Sequence, residues 1–149
     1  MGEQSALERL LALLAAETSV SDIVLDLGAG LDRSVRRMAT AANTLLVVAT
    51  EEPTSLTDAY AVLKLAEADR PGGDVRIVVN QASTVAAGER TYATLARACA
   101  TFLGQKPPLA GIIRRDDKVR DAIRRQMLLQ VRHPNTAAAQ DVERLAATL

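Results

Sequence analysis

Cysteine and histidine are nearly missing from this chain, with one of each in 149 residues. Cys99 alone cannot form an internal disulfide, and Cys99 with His133 falls short of any zinc ligand set, so a reducing compartment is expected. Net charge is missing too. The 18 basic and 18 acidic residues cancel, leaving no global field toward nucleic acid or an anionic membrane. Glu3, Glu8 and Arg9 interrupt the Leu-rich start, so it reads as neither a signal peptide nor a membrane span. Internal repeats, low-complexity tracts and domain-dividing linkers are absent. These absences exclude disulfide scaffolds, zinc modules and membrane spans, and leave a cytoplasmic chain whose partners are chosen locally.

The residues present fit one globular domain over 1–149. The chain is 48% hydrophobic and 24% charged, and at this length it can bury roughly 68–70% of its unfolded surface. Ser5 and Glu8 form a capping-box pattern, and Leu7, Leu10, Leu11 and Leu14 recur on one face. The spacing predicts an amphipathic helix within residues 1–20. Four short apolar runs follow, Ile23–Leu27, Thr44–Ala49, Val75–Val79 and Leu109–Ile113. Each is bounded by Gly, Pro, Asp or Asn and reads as a buried parallel strand.

Helical patterns alternate with these runs. They cover Ser34–Ala42, then Leu56–Ala68 with Ala59, Tyr60 and Leu63 inward, then Tyr92–Leu103 with Leu95, Cys99 and Phe102 inward. Beyond the fourth strand, Asp117 can cap a helix through Met127 with Val119, Ala122, Ile123 and Met127 as its inner stripe. A last helix over Thr136–Leu149 turns Val142, Leu145, Ala146 and Leu149 inward. The alternation predicts an α/β three-layer sandwich with a mainly parallel sheet of about four strands.

Polar groups of such a sheet gather at the carboxyl ends of its strands. Asp26 closes the first strand in Asp26-Leu27-Gly28-Ala29-Gly30, where a carboxylate can reach a magnesium shell and glycine amides can approach a phosphate; a strand-end Asp beside a Gly turn is the plainer reading. No Lys-Ser/Thr pair follows this turn, so it is not a phosphate-binding P-loop. After the second strand, Pro53 sets a turn and Thr54 or Ser55 can cap the next helix. Asn80 ends the third strand and offers a donor and an acceptor to a base edge, or serves as a turn residue. Asp116 and Asp117 follow the fourth strand as helix caps or as a weak carboxylate pair, and no catalytic residue is assigned. The basic run from Arg114 to Arg132 is interleaved with Asp116, Asp117 and Asp121 and reads as a solvated face or a partner-binding patch.

Together these blocks resemble the C-terminal part of the MinD/ParA group of deviant P-loop ATPases, closest to the flagellar-number regulator branch typified by FlhG and FleN. Ile23–Leu31 resembles the Walker B strand and switch II, which places Asp26 and Gly30 where magnesium and γ-phosphate are sensed, with Gly28 in the same turn. Glu52-Pro53-Thr54-Ser55-Leu56-Thr57-Asp58-Ala59-Tyr60 resembles the flagellar branch's signature. Val78-Val79-Asn80 resembles the strand whose asparagine contacts adenine. Gly111-Ile112-Ile113-Arg114-Arg115-Asp116 resembles the later base-binding loop, with Arg114 where proline is usual.

The resemblance implies ATP or ADP with magnesium as cofactor, held by Asp26 (indirectly, through magnesium's water shell), Gly28, Gly30, Asn80, Arg114 and Asp116. It also implies a P-loop NTPase-like fold over residues 22–149 without its P-loop strand, because the Lys-Gly-Gly-x-Gly-Lys-Thr loop and the switch I aspartate have no counterpart. A truncated or split ATPase that cannot bind or hydrolyse ATP alone is expected. The alternative is a nucleotide-independent protein-interaction module. Partners would be a separate P-loop half, a second copy, or proteins of flagellar or division-site placement; no basic membrane-targeting tail is seen. In the family the P-loop strand lies between the counterparts of Ile23–Leu27 and Thr44–Ala49. Two apolar edges should therefore pair with each other, with another copy or with a separate piece.

Overall fold

The computed structural model describes residues 2–149; Met1, the first residue of the N-terminal segment, lies outside them. In chain order the elements are α1 (Gly2–Ala16), α2 (Arg33–Ala41), β1 (Thr44–Ala49), α3 (Pro53–Asp69), β2 (Asp74–Ala82), α4 (Val85–Leu103), β3 (Leu109–Arg114), α5 (Asp117–Arg124), α6 (Leu129–Arg132) and α7 (Ala137–Ala146). The three strands form one parallel sheet in the order β1-β2-β3. Val47 stands opposite Ile77, and Val79 opposite both Ala49 and Ile112.

Side chains of a strand alternate between faces, so a doubly covered sheet needs apolar residues at successive positions. On one face Val47, Ala49, Ile77, Val79 and Ala82 meet Ala59 and Leu63 of α3 and Leu95 and Cys99 of α4. On the other face Val78 and Ile113 meet Ala138 of α7, with Leu46, Val142 and Leu145 packed around them. The sandwich has the expected three layers. Each fully buried Ile or Val, such as Ile77 or Val79, contributes about 1.5–3 kcal/mol.

The structure departs from the sequence reading at several points. Ile23–Leu27 belongs to no helix or strand, so the sheet has three strands instead of four. A strand exists only through its neighbours' backbone hydrogen bonds. Among the described residues no neighbour flanks this segment, and Ile23 and Val24 remain 43% and 89% exposed. β1 pairs only with β2, so the two predicted edges do not close on each other.

In α1 the helix starts before Ser5, and Glu8 binds Arg37 of α2 at 2.7 Å instead of completing a capping box. Ser55 accepts a hydrogen bond from the Thr50 N–H at 2.9 Å, pinning the loop instead of capping α3. Asp116, not Asp117, is the N-cap of α5. Phe102 is 73% exposed, meeting the Tyr60 ring edge-on at 6.5 Å. Ile123 is 69% exposed although it lies within α5, and Met127 is exposed beyond it, because the chain leaves α5 after Arg124 and Gln126 takes a left-handed backbone with φ 52°. Ala146 and Leu149 are exposed at the end of the chain.

Candidate functional site at the carboxyl edge of the sheet

All three strands are parallel, so their carboxyl ends share one edge. After β1, the Glu51 carboxylate accepts from the Ser83 N–H at 2.8 Å and from the Ser83 hydroxyl at 3.0 Å. The Ser83 amide holds the Glu51 carboxyl below its ordinary range, with Arg115 and Arg90 adding positive charge nearby. This tie spans the loops that follow β1 and β2. At the end of β2 the register with β3 breaks between Val79 and Ala82, and Gln81 adopts φ 53°. Such a bulge re-aims side chains at a sheet rim. Asn80 sits on it, half-buried, and its amide makes no hydrogen bond among the described residues, so donor and acceptor are both available.

The end of β3 is more committed. Arg114 donates its backbone N–H and guanidinium to Asp141 of α7, at 2.9 Å from N, 2.9 Å from Nε and 3.0 Å from the second terminal nitrogen. Asp141 is 3% exposed. Burial alone would raise its carboxyl pKa, but the side-chain and backbone hydrogen bonds from Arg114 outweigh it and hold the group below the usual range. Asp116 accepts from the Lys118 N–H at 3.0 Å and from the Ala138 N–H at 3.3 Å, so one carboxylate serves the starts of α5 and α7. The Arg115 N–H donates to the Ala82 carbonyl at 2.8 Å, tying the ends of β2 and β3 together.

The structure therefore gathers Asn80, Arg114 and Asp116 at one edge. Asp26, Gly28 and Gly30 lie on the irregular segment before α2, where Asp26 is exposed and the glycines take φ 65° and 129°. Those angles favour glycine over any residue with a Cβ. Among the described residues no hydrogen bond, ion pair or strand pairing joins this segment to the sheet edge. Gly30 and Leu31 instead line a crevice of about 50 Å³ with α2 and α3. No cluster of three potential metal-binding His, Cys, Asp or Glu side chains occurs among the described residues, and no helix there is long and apolar enough to cross a membrane.

Two pairings escaped the sequence reading. Glu51 and Ser83 are 32 residues apart, and Arg114 and Asp141 are 27 apart, so no local pattern pairs them. A signal for Asp141 did exist. It falls at i+3 from Ala138 on the inward face of α7, where a carboxylate needs a buried partner.

The parallel sheet between helical layers, with polar strand ends at one edge, has the fold of the MinD proteins. The chain superposes on the cell division ATPase MinD of Pyrococcus furiosus with a TM-score of 0.71 at 19% identity, covering 95% of this chain and 57% of that one. The septum site-determining protein MinD of Pyrococcus horikoshii, solved with Mg-ADP, gives 0.69 at 18% identity, over 94% and 54%. In sequence, the chain is homologous to the antiactivator FleN of Pseudomonas aeruginosa, with 33% identity over 131 residues, 85% of this chain and 47% of FleN. It spans about half the length of the relatives it matches. No protein-family model matches the chain.

Proposed function

We propose that this chain is a flagellar-number regulator-like part that supplies the switch II and adenine sides of a Mg-ATP site and does not bind or hydrolyse ATP by itself. The homology to FleN, 33% identical over 131 residues, carries the reading. On the adenine side, the free Asn80 amide can take one donor and one acceptor of a base edge, with Arg114 and Asp116 on the neighbouring strand end. On the phosphate side, Asp26 would hold magnesium through water, and the positive-φ glycines would let backbone amides approach a γ-phosphate. A P-loop strand would run along the open edge of β1, whose residues Thr44–Ala49 include neither charge nor proline to block pairing. The process served would be control of flagellar number or placement, in the cytoplasm.

A second reading has its own support. Arg114 holds α7 through Asp141, and Asp116 holds the starts of α5 and α7, which suits a protein-interaction module that needs no nucleotide. Mixing decides between the two. Mg-ATP is titrated into this chain together with a separately produced polypeptide bearing the Lys-Gly-Gly-x-Gly-Lys-Thr loop of a FleN-type relative. Binding by the mixture that neither piece shows alone supports the split site. A mixture no better than the loop-bearing piece contradicts it.

A further inference from the structure

The α5–α6 hairpin is apolar on two sides, and the fold uses only one of them. On the inner side Ala122 is buried, and Val119 and Leu129 pack against the cluster of Val78, Ile113 and Ala138. On the outer side Ile123, Met127, Leu128 and Val131 are 69%, 42%, 72% and 64% exposed. Single exposed apolar side chains are ordinary, but four within nine residues form a patch. The open edge of the sheet does not account for it. The hairpin follows β3, and β3 is the edge opposite β1, with β2 between them. A strand added along β1 extends the sheet away from the hairpin and leaves the patch uncovered.

The same hairpin carries positive charge that its own fold leaves unused. Residues 117–132 hold five basic and two acidic side chains. Of the acids, Asp117 lies in the first turn of α5, where the helix dipole favours a carboxylate. Asp121 meets Arg125 at 3.2 Å, Arg132 at 3.4 Å and His133 at 2.6 Å, which ties α5 to α6 and to the turn before α7. Lys118, Arg120 and Arg124 make no side-chain ion pair among the described residues. Arg120 stands three residues before Ile123 within α5, so a free cation and an exposed apolar side chain are neighbours on the helix surface.

We infer that the α5–α6 hairpin is a docking platform for an acidic amphipathic helix of a partner protein. The partner's apolar stripe covers Ile123, Met127, Leu128 and Val131, and its flanking carboxylates meet Lys118, Arg120 and Arg124. Charge selects this occupant, because a neutral or basic helix would cover the patch and leave three cations without partners. Single-stranded nucleic acid matches poorly, since residues 114–135 include no Phe, Tyr or Trp on which bases could stack. An anionic bilayer matches poorly as well: the hairpin has no aromatic anchor for a lipid interface, and the whole chain has no net charge. The three ties to Asp121 hold the platform in shape before the partner arrives, which lowers the ordering cost of binding. None of these residues is assigned to the nucleotide site, so docking needs no nucleotide.

Fluorescence anisotropy of a labelled synthetic peptide, titrated with the full chain, tests this. The peptide has leucine at i, i+3, i+4 and i+7 and glutamate elsewhere; a second peptide has lysine in place of glutamate. The glutamate peptide should bind with micromolar affinity, more weakly in high salt, and the lysine peptide should not bind. Leu128→Glu and Arg124→Glu alter exposed side chains, so circular dichroism should stay native, and each should weaken binding about tenfold or more. Leu13→Glu, a substitution at a 71% exposed leucine of α1, should leave it unchanged. Absence of binding overturns the proposal, as does equal affinity for both peptides or binding indifferent to Leu128→Glu and Arg124→Glu. Flotation of the chain with phosphatidylglycerol vesicles that Leu128→Glu abolishes, with no binding of the glutamate peptide, overturns it in favour of a lipid surface.

Discussion

Asp141 joins β3 to α7 with a single carboxylate, accepting from the Arg114 backbone and guanidinium and from Arg144 at 3.0 Å. Because it is buried and satisfied, Asp141→Asn leaves charged donors without their partner and should cost about 2–3 kcal/mol at neutral pH, read by urea denaturation. The pH dependence has a defined sign. A carboxyl whose folded pKa lies below its unfolded value, ordinarily near 3.9, contributes stability above that value and loses it as pH falls through the folded pKa. The gap between native chain and variant should therefore be constant near neutrality and narrow below about pH 4. Asp116→Ala should cost about 1–2 kcal/mol, because the starts of both α5 and α7 lose an acceptor; a thermal melt measures it. That Asn80, Arg114 and Asp116 fall at the strand ends was legible in the sequence, because they follow the apolar runs of the second and third strands of the sheet. The partners of Arg114 and Glu51 were not, since periodicity tells which face a residue occupies but not what faces it from a distant element.

The elements show the same division. β1 was read over Thr44–Ala49 and is found there, and β3 differs from its reading only at Arg114. Ile23–Leu27 is just as apolar, yet it is no strand, since strand formation depends on a neighbour that local sequence does not contain. One helix stripe failed because its helix ends early: Met127 continues the 3.6-residue period on paper, but α5 stops at Arg124. The contact of α4 with β3 is equally hidden in the sequence. Gly88 is buried in α4, and a Cβ there would lie 2.6 Å from Ile112 Cγ2. Gly88→Ala should therefore destabilise by about 1–3 kcal/mol despite alanine's better helix propensity. Ile112→Ala in the same chain removes the clash, so the double variant should lose less than the two single losses added together. Equilibrium unfolding of the four chains in this cycle gives the answer.

At the scale of the whole molecule, the sheet ends on an unpaired β1, and the segment bearing Asp26, Gly28 and Gly30 stands apart from the edge bearing Asn80, Arg114 and Asp116. Fold class and layer order were readable from the alternation of strands and helices, because each apolar run needs covering on both faces. The separation of the two groups was not readable, because it depends on what lies between them. A nucleotide gains affinity only when base, phosphate and magnesium contacts are held in one geometry at once, and this chain provides no P-loop amides or lysine to join them. The decisive measurement is equilibrium binding of a fluorescent ATP analogue with magnesium to this chain alone, with unlabelled ATP as competitor and Asp26→Ala as control. No saturable, competable binding is expected for either protein. Micromolar binding that ATP displaces and Asp26→Ala abolishes would contradict this, and would mean that these residues build a site without the missing loop.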